Sequence, residues 1–340
     1  MSRVTPTGGA DPSAVGPDPW LLRVRGAVLL AACADALGAP FEGLAAVDVA
    51  AVDHLLETPP PLRWTDDTAL TLALAEHLVR RGGDVDQDEL ASAFAAEWAA
   101  GPDLGYGAGV AAQFARIVAG ESWVATSQEA FGGTGSYGNG AAMRVAPVGL
   151  LPGLPLAEVA RRARRSAQIT HAHPLAQDGA VAQAVAVAVA ARSRQDTPID
   201  TDLFLAAVAT RLRTPQFRSA LSIVRVLARR RATPGQIAEA VGNGVAAVES
   251  VPAALAVFLA DPQRPHDVVR SAIQVGGDTD TIAAMAAAMC GARCGEQGLP
   301  VLWGLRLADT RRLWQVSSAL AAVDSDRSGG RRPSTRTDQH

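Results

Sequence analysis

Two short stretches place carboxylates and hydroxyls where they could hold a charge: 64-WTDDTAL-70 and 276-GGDTDTIAAMAAAMCGA-292. In the first, Thr65 reads as a helix N-cap, with Asp66 and Asp67 in the first turn of a helix running through Leu78. Carboxylates there gain roughly 0.3–1 kcal/mol from the helix dipole, so alone the motif is more often a cap than a site. The second stretch repeats the pattern, with two glycines followed by Asp278, Thr279, Asp280 and Thr281 at a helix start. If the two starts converge, four aspartates share a small volume, which is strongly repulsive unless protons or cations intervene. Hard divalent ions take carboxylate, hydroxyl and water oxygens, and two magnesium ions would balance the four charges. The partial positive charge of each helix end is outweighed by four full negative ones. Neither cluster holds a soft ligand, so zinc is the less suitable occupant. Spacing does not dictate convergence, which stands as an expectation.

Between the clusters lies 131-FGGTGSYGNGAAMRVAP-147, where Gly132, Gly133, Gly135, Gly138 and Gly140 lead into a helix near Ala141. Such a loop can turn backbone N–H groups toward a phosphate, with the helix start behind them. Its spacing is neither the P-loop nor the dinucleotide fingerprint, and a flexible surface loop accounts for it equally well. Phe131 and Tyr137 frame the loop in a chain with only 7 Phe and 2 Tyr. Aromatic faces beside a phosphate cradle suit a stacked nucleotide base; the alternative is that both rings pack into the core. Glu42 in 37-LGAPFEG-43 sits past a helix end, either reaching an adjacent site or solvated. His171 in 169-ITHAHPLA-176 has the position of a cap or packing residue, and a His171/His173 metal pair lacks soft partners.

The elements that must position these residues read as helices. Apolar residues recur every three or four positions through segments such as 21–37, 67–81, 106–119, 140–150, 174–193, 235–248, 250–260, 279–294 and 305–323. Gly and Pro separate them, and alternating strand patterns of useful length are missing. The expectation is an all-α, single-domain globule of orthogonally packed helices, its cleft formed by helix-connecting loops. The domain is expected over 20–323, flanked by disordered segments 1–19 and 324–340. Of the 340 residues 48% are hydrophobic, largely alanine, and 4% aromatic, which implies small side chains and close helix packing. A net charge of −3 with pI near 6.1 leaves no global basic surface for nucleic acid. No secretory signal pattern opens the sequence, and the apolar run 181–191 falls short of the roughly 18 residues a membrane span needs. The protein is therefore expected in the cytoplasm, away from membranes. Cys290 and Cys294 share a helix face and read as small core residues, and three cysteines make no disulfide framework.

In order, 33-CADALGAPFEG-43, 64-WTDDT-68, 135-GSYGNGAAMR-144, 169-ITH-171 and 276-GGDTDTIA-283 resemble the ADP-ribosyl-acceptor glycohydrolase family, which includes the dinitrogenase-reductase-activating glycohydrolases. The match runs from Cys33 to near Gly295, and five motifs in order are specific where one would be weak. Cys33-Ala34 departs from it, since glycine is commoner ahead of the Asp35 position. The resemblance implies an all-α fold with two magnesium ions in a cleft. Thr65, Asp66 and Asp67 match the ligands of one cluster, and Asp278, Asp280 and Thr281 those of the other, with Thr279 turned away. Gly135, Ser136, Tyr137, Gly138, Asn139 and Gly140 would wrap the ADP-ribose diphosphate and distal ribose. Phe131 and Tyr137 look like the base-stacking pair of the serine-type branch. Glu42 matches a mobile acid near the metals, and His171 a residue lining the cleft.

The implied activity is metal-assisted hydrolysis of the bond between the anomeric carbon of ADP-ribose and an acceptor, with Asp280, Asp67 and Glu42 the candidates for proton transfer. Partners would be ADP-ribosylated proteins or ADP-ribose-containing small molecules, with nucleic acid only as a modified substrate, and the chain is expected to be monomeric. Two alternatives belong to other classes: a module that binds ADP-ribose without cleaving it, and a two-metal phosphoesterase acting on nucleotides. The intact clusters weigh against the first. The Phe131–Tyr137 loop and the lack of a basic stripe weigh against the second.

Overall fold

The computed structural model describes residues 18–324. The segments expected as disordered lie outside the described residues apart from Asp18, Pro19 and Asp324. Among the described residues there are eighteen α-helices and no strand. The first six are α1 (Pro19–Gly38), α2 (Val49–Glu57), α3 (Asp66–Arg80), α4 (Gln87–Ala100), α5 (Ala108–Val118) and α6 (Trp123–Gly133). Next come α7 (Gly140–Met143), α8 (Ala146–Gly149), α9 (Leu156–Gln168), α10 (Pro174–Arg192), α11 (Thr201–Ala209) and α12 (Pro215–Arg230). The last are α13 (Pro234–Val241), α14 (Ala247–Ala260), α15 (Pro265–Gln274), α16 (Thr279–Cys294), α17 (Val301–Arg306) and α18 (Thr310–Ala321).

Local chemistry starts many of them. The Asp18 carboxylate accepts from the Trp20 N–H at 2.9 Å, Asp86 from Glu89 at 3.1 Å, and Thr233 forms a capping box with Gln236. Proline occupies the first turn of α1, α10, α12, α13 and α15, where its missing N–H costs no helical bond.

Three expected helices differ. The 140–150 segment splits into α7 and α8, because Pro147 has no N–H to continue the ladder. The 305–323 segment breaks between α17 and α18, where Asp309 is left-handed and Leu307 bridges to Leu62. The 250–260 segment starts earlier, at Ala247, after the chain turns through Gly242–Ala246. Helices α2, α6 and α17 were not legible; each is short, and α2 is followed by three consecutive prolines.

The core forms around α1, α10 and α16, whose alanines and valines are buried on nearly every side. Helix α10 extends the apolar run at 181–191 to 19 residues, long and apolar enough to cross a membrane by length and composition. In the fold 78% of that window is buried against other helices, so it serves as a central core helix. Helix α1 runs antiparallel along α16 with the two backbones in direct contact. A Cβ on Gly26 would stand 2.6 Å from the Gly291 carbonyl oxygen, and one on Gly38 2.5 Å from Asp280 Cα. Cys290 and Cys294, with Sγ atoms 3.9 Å apart and both free, lie toward the far end of α16 from Asp280.

Glycine to alanine inside a helix ordinarily stabilises a protein by about 0.4–1 kcal/mol. At Gly26 the sign should reverse, because the added carbon meets backbone rather than a movable side chain, and overpacking costs about 1–3 kcal/mol. Urea denaturation of Gly26→Ala should show a lower midpoint than the parent. A raised midpoint would mean that the two helices are not locked together there.

Candidate active site

The two acidic helix starts meet. The Thr281 hydroxyl, in the first turn of α16, donates to Asp67 Oδ1 in the first turn of α3 at 3.3 Å. Each start is built by its own sequence. Thr65 caps α3, accepting from the Asp67 N–H at 3.3 Å, and Asp66 N–H is held by the Leu104 carbonyl at 2.9 Å. At α16, Gly276 and Gly277 take positive φ of 76° and 71°, which turns the chain into the helix at Asp278. The Thr279 hydroxyl points away and donates to the Gly38 carbonyl at 2.9 Å.

A third carboxylate sits behind the pair. Asp35, fully buried on α1, accepts from Thr65 N–H at 3.1 Å, Thr68 N–H at 3.2 Å and the Thr68 hydroxyl at 2.5 Å. It satisfies the orphan donors of the α3 start from outside that helix. Sequence reasoning assigned it no role, although it is the lone acid in the apolar face of α1. On the open side, backbone bonds between Gly43 and Gly277 and between Gly277 and Leu44 pin the Glu42 loop beside α16. One carboxylate oxygen each from Glu42, Asp278 and Asp280 lie within 4.8 Å of one another.

The resulting cleft has a volume of about 270 Å³. Glu42, Asp66, Asp67, Asp278, Asp280 and Thr281 line one part of it. Phe131, Ser136, Tyr137, Gly138, Asn139, Gly140 and His171 line another. Thr65 and Gly135 are not among its lining residues. The Thr65 side chain serves the cap, and Gly135 lies where a Cβ would be 2.7 Å from the His173 backbone nitrogen. Phe131 and Tyr137 are 58% and 50% exposed, so they are not core residues. Their ring centroids stand 6.1 Å apart, and Phe131 holds a left-handed backbone at φ 53°, an uncommon state for a bulky residue. Within the loop, Gly138 N–H bonds the Ser136 hydroxyl at 3.2 Å and Asn139 N–H bonds the Val245 carbonyl at 2.9 Å, so these two are already engaged. The Asn139 side chain turns to the acids, donating to Asp278 Oδ2 at 2.5 Å.

The lining also includes Gly105, Gly107, Gly109 and Arg144, which sequence reasoning did not assign. The glycines carry a signal that was available, since 104-LGYGAGV-110 leads into α5 much as the other glycine loop leads into α7. Arg144 is fully buried, its guanidinium 4.3 Å over the Phe94 ring. It donates to the Gly140 carbonyl at 3.1 Å and to the Thr170 hydroxyl at 2.7 Å. Thr170 Oγ1 in turn lies 2.7 Å from His171 Nδ1. A guanidinium only donates, so the Thr170 hydroxyl accepts from Arg144 and has its own proton left for Nδ1. Burial, reinforced by the Arg144 charge, pushes His171 down to about 3, so the ring is neutral. With the Thr170 hydroxyl donating to Nδ1, the ring proton is on Nε2, which packs against Gly140, where a Cβ would come within 3.2 Å. In that tautomer His171 offers the cleft a donor, and its lowered proton affinity makes it a poor base.

The acids behave as crowded buried charges. Burial, then Asp35 and Asp280, push Asp66 up to about 8; burial, then Asp278, push Asp280 up to about 7. Asp67 is raised well above the usual range by burial and by Asp280, and Glu42 is raised by the same two causes. Asp67 Oδ2 is buried without a hydrogen-bond partner, and no Arg or His forms an ion pair with any of these acids among the described residues. An all-oxygen set of unneutralised carboxylates with an orphaned buried oxygen fits a hard divalent cation.

The chain has extensive similarity to known proteins. A family model described as ADP-ribosylglycohydrolase matches residues 17–329. The chain is 34% identical over 322 residues to ADP-ribosylhydrolase ARH3 of Homo sapiens, covering 83% of this chain and 88% of that one. It is 32% identical over 306 residues to the uncharacterized protein YegU of Escherichia coli, covering 79% and 87%. A solved structure described as an ADP-ribosylglycohydrolase-related protein complex matches with a TM-score of 0.67 and 25% identity, over 89% of this chain and 98% of that chain.

The raised carboxyls set a pH dependence. In the unfolded chain they titrate near 4, so between there and about 8 the folded, metal-free protein binds more protons and loses stability as pH rises. With EDTA present, the melting temperature should fall from pH 5.5 to pH 8.5, and a millimolar divalent cation should restore it most at the higher pH. A flat profile, unchanged by cation, would refute the shared acidic site.

Proposed function

We propose, from the premise that the chain belongs to the ADP-ribosylglycohydrolase family, that this cleft uses two magnesium ions to hydrolyse the bond between ADP-ribose and an acceptor. The observation that carries this reading is the convergence of the α3 and α16 starts beside a half-exposed aromatic pair. Asp66 and Asp67 on one side, with Asp278, Asp280 and Thr281 on the other, line the cleft and are the residues to hold the ions; Thr65, outside that lining, would join them only through the second lone pair of its capping hydroxyl. Bound there, the ions would supply positive charge that grips ribose hydroxyls and lowers the pKa of water.

The chain's own residues do the rest. Phe131 and Tyr137 present exposed faces to an adenine base, and His171 donates from Nε2 to an oxygen of the diphosphate or distal ribose. With His171 excluded as a base, proton transfer falls to the carboxylates. Asp280 is raised to about 7 by burial and Asp278, and burial and Asp280 raise Asp67 and Glu42 above the usual carboxylate range, which suits a group that accepts a proton and returns it. Glu42 is the exposed member, on a loop rather than a helix, and is placed to meet the acceptor side. Negative charge around the anomeric carbon favours an oxocarbenium-like transition state. The aromatic pair matches the serine-type branch of the family, and ADP-ribosyl-serine is the linkage we propose.

A panel of peptides ADP-ribosylated on serine or arginine, with O-acetyl-ADP-ribose alongside, should give free ADP-ribose from the serine conjugate. EDTA should stop release and magnesium restore it, while Asp280→Asn lowers turnover by about 10²–10⁴-fold. Near-normal turnover by Asp280→Asn would defeat the assignment, and release from arginine alone would defeat the choice of acceptor. Thr170→Val should weaken ADP-ribose binding severalfold by releasing the His171 tautomer, whereas Thr170→Ser keeps it. Equal losses in both variants would show that only packing is involved.

A further inference from the structure

A second crowded charge cluster, of opposite sign, lies outside the cleft. Arg161, Arg164, Arg165, Arg211 and Arg213 line a groove of about 360 Å³ formed by α9 and the turn between α11 and α12. Three carboxylates approach it, and each is already committed. Glu158 pairs with Arg161 and Arg162, Asp84 lies 3.3 Å from Arg165 and 3.7 Å from Arg161, and Asp178 lies 2.7 Å from Arg164. The second oxygen of Asp178 accepts from Arg213 N–H at 2.8 Å, Thr214 N–H at 2.6 Å and the Thr214 hydroxyl at 2.8 Å. That carboxylate fastens the two walls of the groove together and has no capacity left for another guanidinium.

Arg211 and Arg213 are therefore left over. Among the described residues Arg211 reaches only the hydroxyl of Thr210, and its Nε is buried without a partner. Arg213 is exposed and its guanidinium has no carboxylate partner among the described residues. Its charge bears on the buried Arg164 which, after burial itself, it helps hold below the usual arginine range. Like charges crowded at a partly buried groove are relieved by an anion, just as the acids of the cleft are relieved by cations. Planar guanidinium forks match phosphate oxygens in pairs. The groove is also close to the cleft, because Gln168 lines one and His171 the other, and three residues span at most about 11 Å.

We propose that this arginine groove is a second binding site, for a phosphate-bearing anion held by Arg211 and Arg213 beside the catalytic cleft. The phosphate could come from a further part of the substrate in the cleft or from a free diphosphate. Binding itself does not rest on the reading of the cleft.

Inorganic pyrophosphate titrated calorimetrically into the full chain, at fixed free magnesium, should bind saturably. The Arg211→Gln/Arg213→Gln variant should weaken binding at least tenfold at an unchanged melting temperature, and Arg213→Gln alone, at the exposed position, should weaken it in part. Ser136→Ala/Tyr137→Ala, which alters the cleft, should leave the arginine-dependent part of that binding unchanged. If the phosphate belongs to the substrate, the double arginine variant raises KM at constant kcat only for substrates carrying an additional phosphate. If it is a free diphosphate, pyrophosphate alters turnover of the plain substrate in the parent and not in that variant. No saturable binding, or binding indifferent to both arginines and lost in the cleft variant, would overturn the proposal.

Discussion

The contact of one backbone with another, α1 against α16, is the constraint on which the site depends. Glycines at 26, 38 and 291 let the helices approach until a single added carbon would overlap main chain. At that distance the end of α1 lies directly on the start of α16, so Gly38 touches Asp280 while Asp35 reaches across to the start of α3. Three helices from opposite ends of the sequence are thereby held at one point. Larger side chains in this seam would meet main chain beside Asp280 and push α16 away from α1, and with it Asp278 and Asp280. The alanine-rich composition is thus a condition of the chemistry as well as of the packing.

What the seam brings together is electrostatically unfavourable. Buried carboxylates repel one another and resist ionisation, and the fold tolerates them by tying their backbone and nearby hydroxyls to fixed partners: Thr65 and Thr68 to Asp35, Asn139 to Asp278, Thr281 to Asp67. Capping and metal binding are compatible roles for the same residues. A helix start fixes the direction of Asp66 and Asp67, and a cation then benefits from groups that need not reorganise.

The opposite wall follows another principle. There Arg144 is buried without an acid and holds, through Thr170, a neutral imidazole that lines the cleft. As a member of the ADP-ribosylglycohydrolase family, the chain is a glycohydrolase, and its cleft divides the work: acids at one end, donors and aromatic faces at the other. Helix α9 ends between this wall and the arginine groove, so the two charge clusters of opposite sign are neighbours by construction.

Much of this was legible before folding. Helical periodicity with Gly and Pro punctuation specified an all-α chain, and carboxylates after a capping threonine or paired glycines marked both halves of the acidic site. Those signals are local, read within a few residues. The breaks at Pro147 and Asp309, and the short helices α2, α6 and α17, were less clear, because tertiary packing decides short elements more than propensity does. Asp35, Arg144 and Thr170 lay inside apolar or motif segments whose sequence neighbours say nothing of their partners. The exposure of Phe131 and Tyr137, the Arg144–Thr170–His171 chain and the lack of a carboxylate partner for Arg211 and Arg213 among the described residues likewise appear only once distant segments meet. The sequence determined which groups could carry charge, and the tertiary structure alone decided which share a volume, since repulsion and neutralisation depend on distance through space.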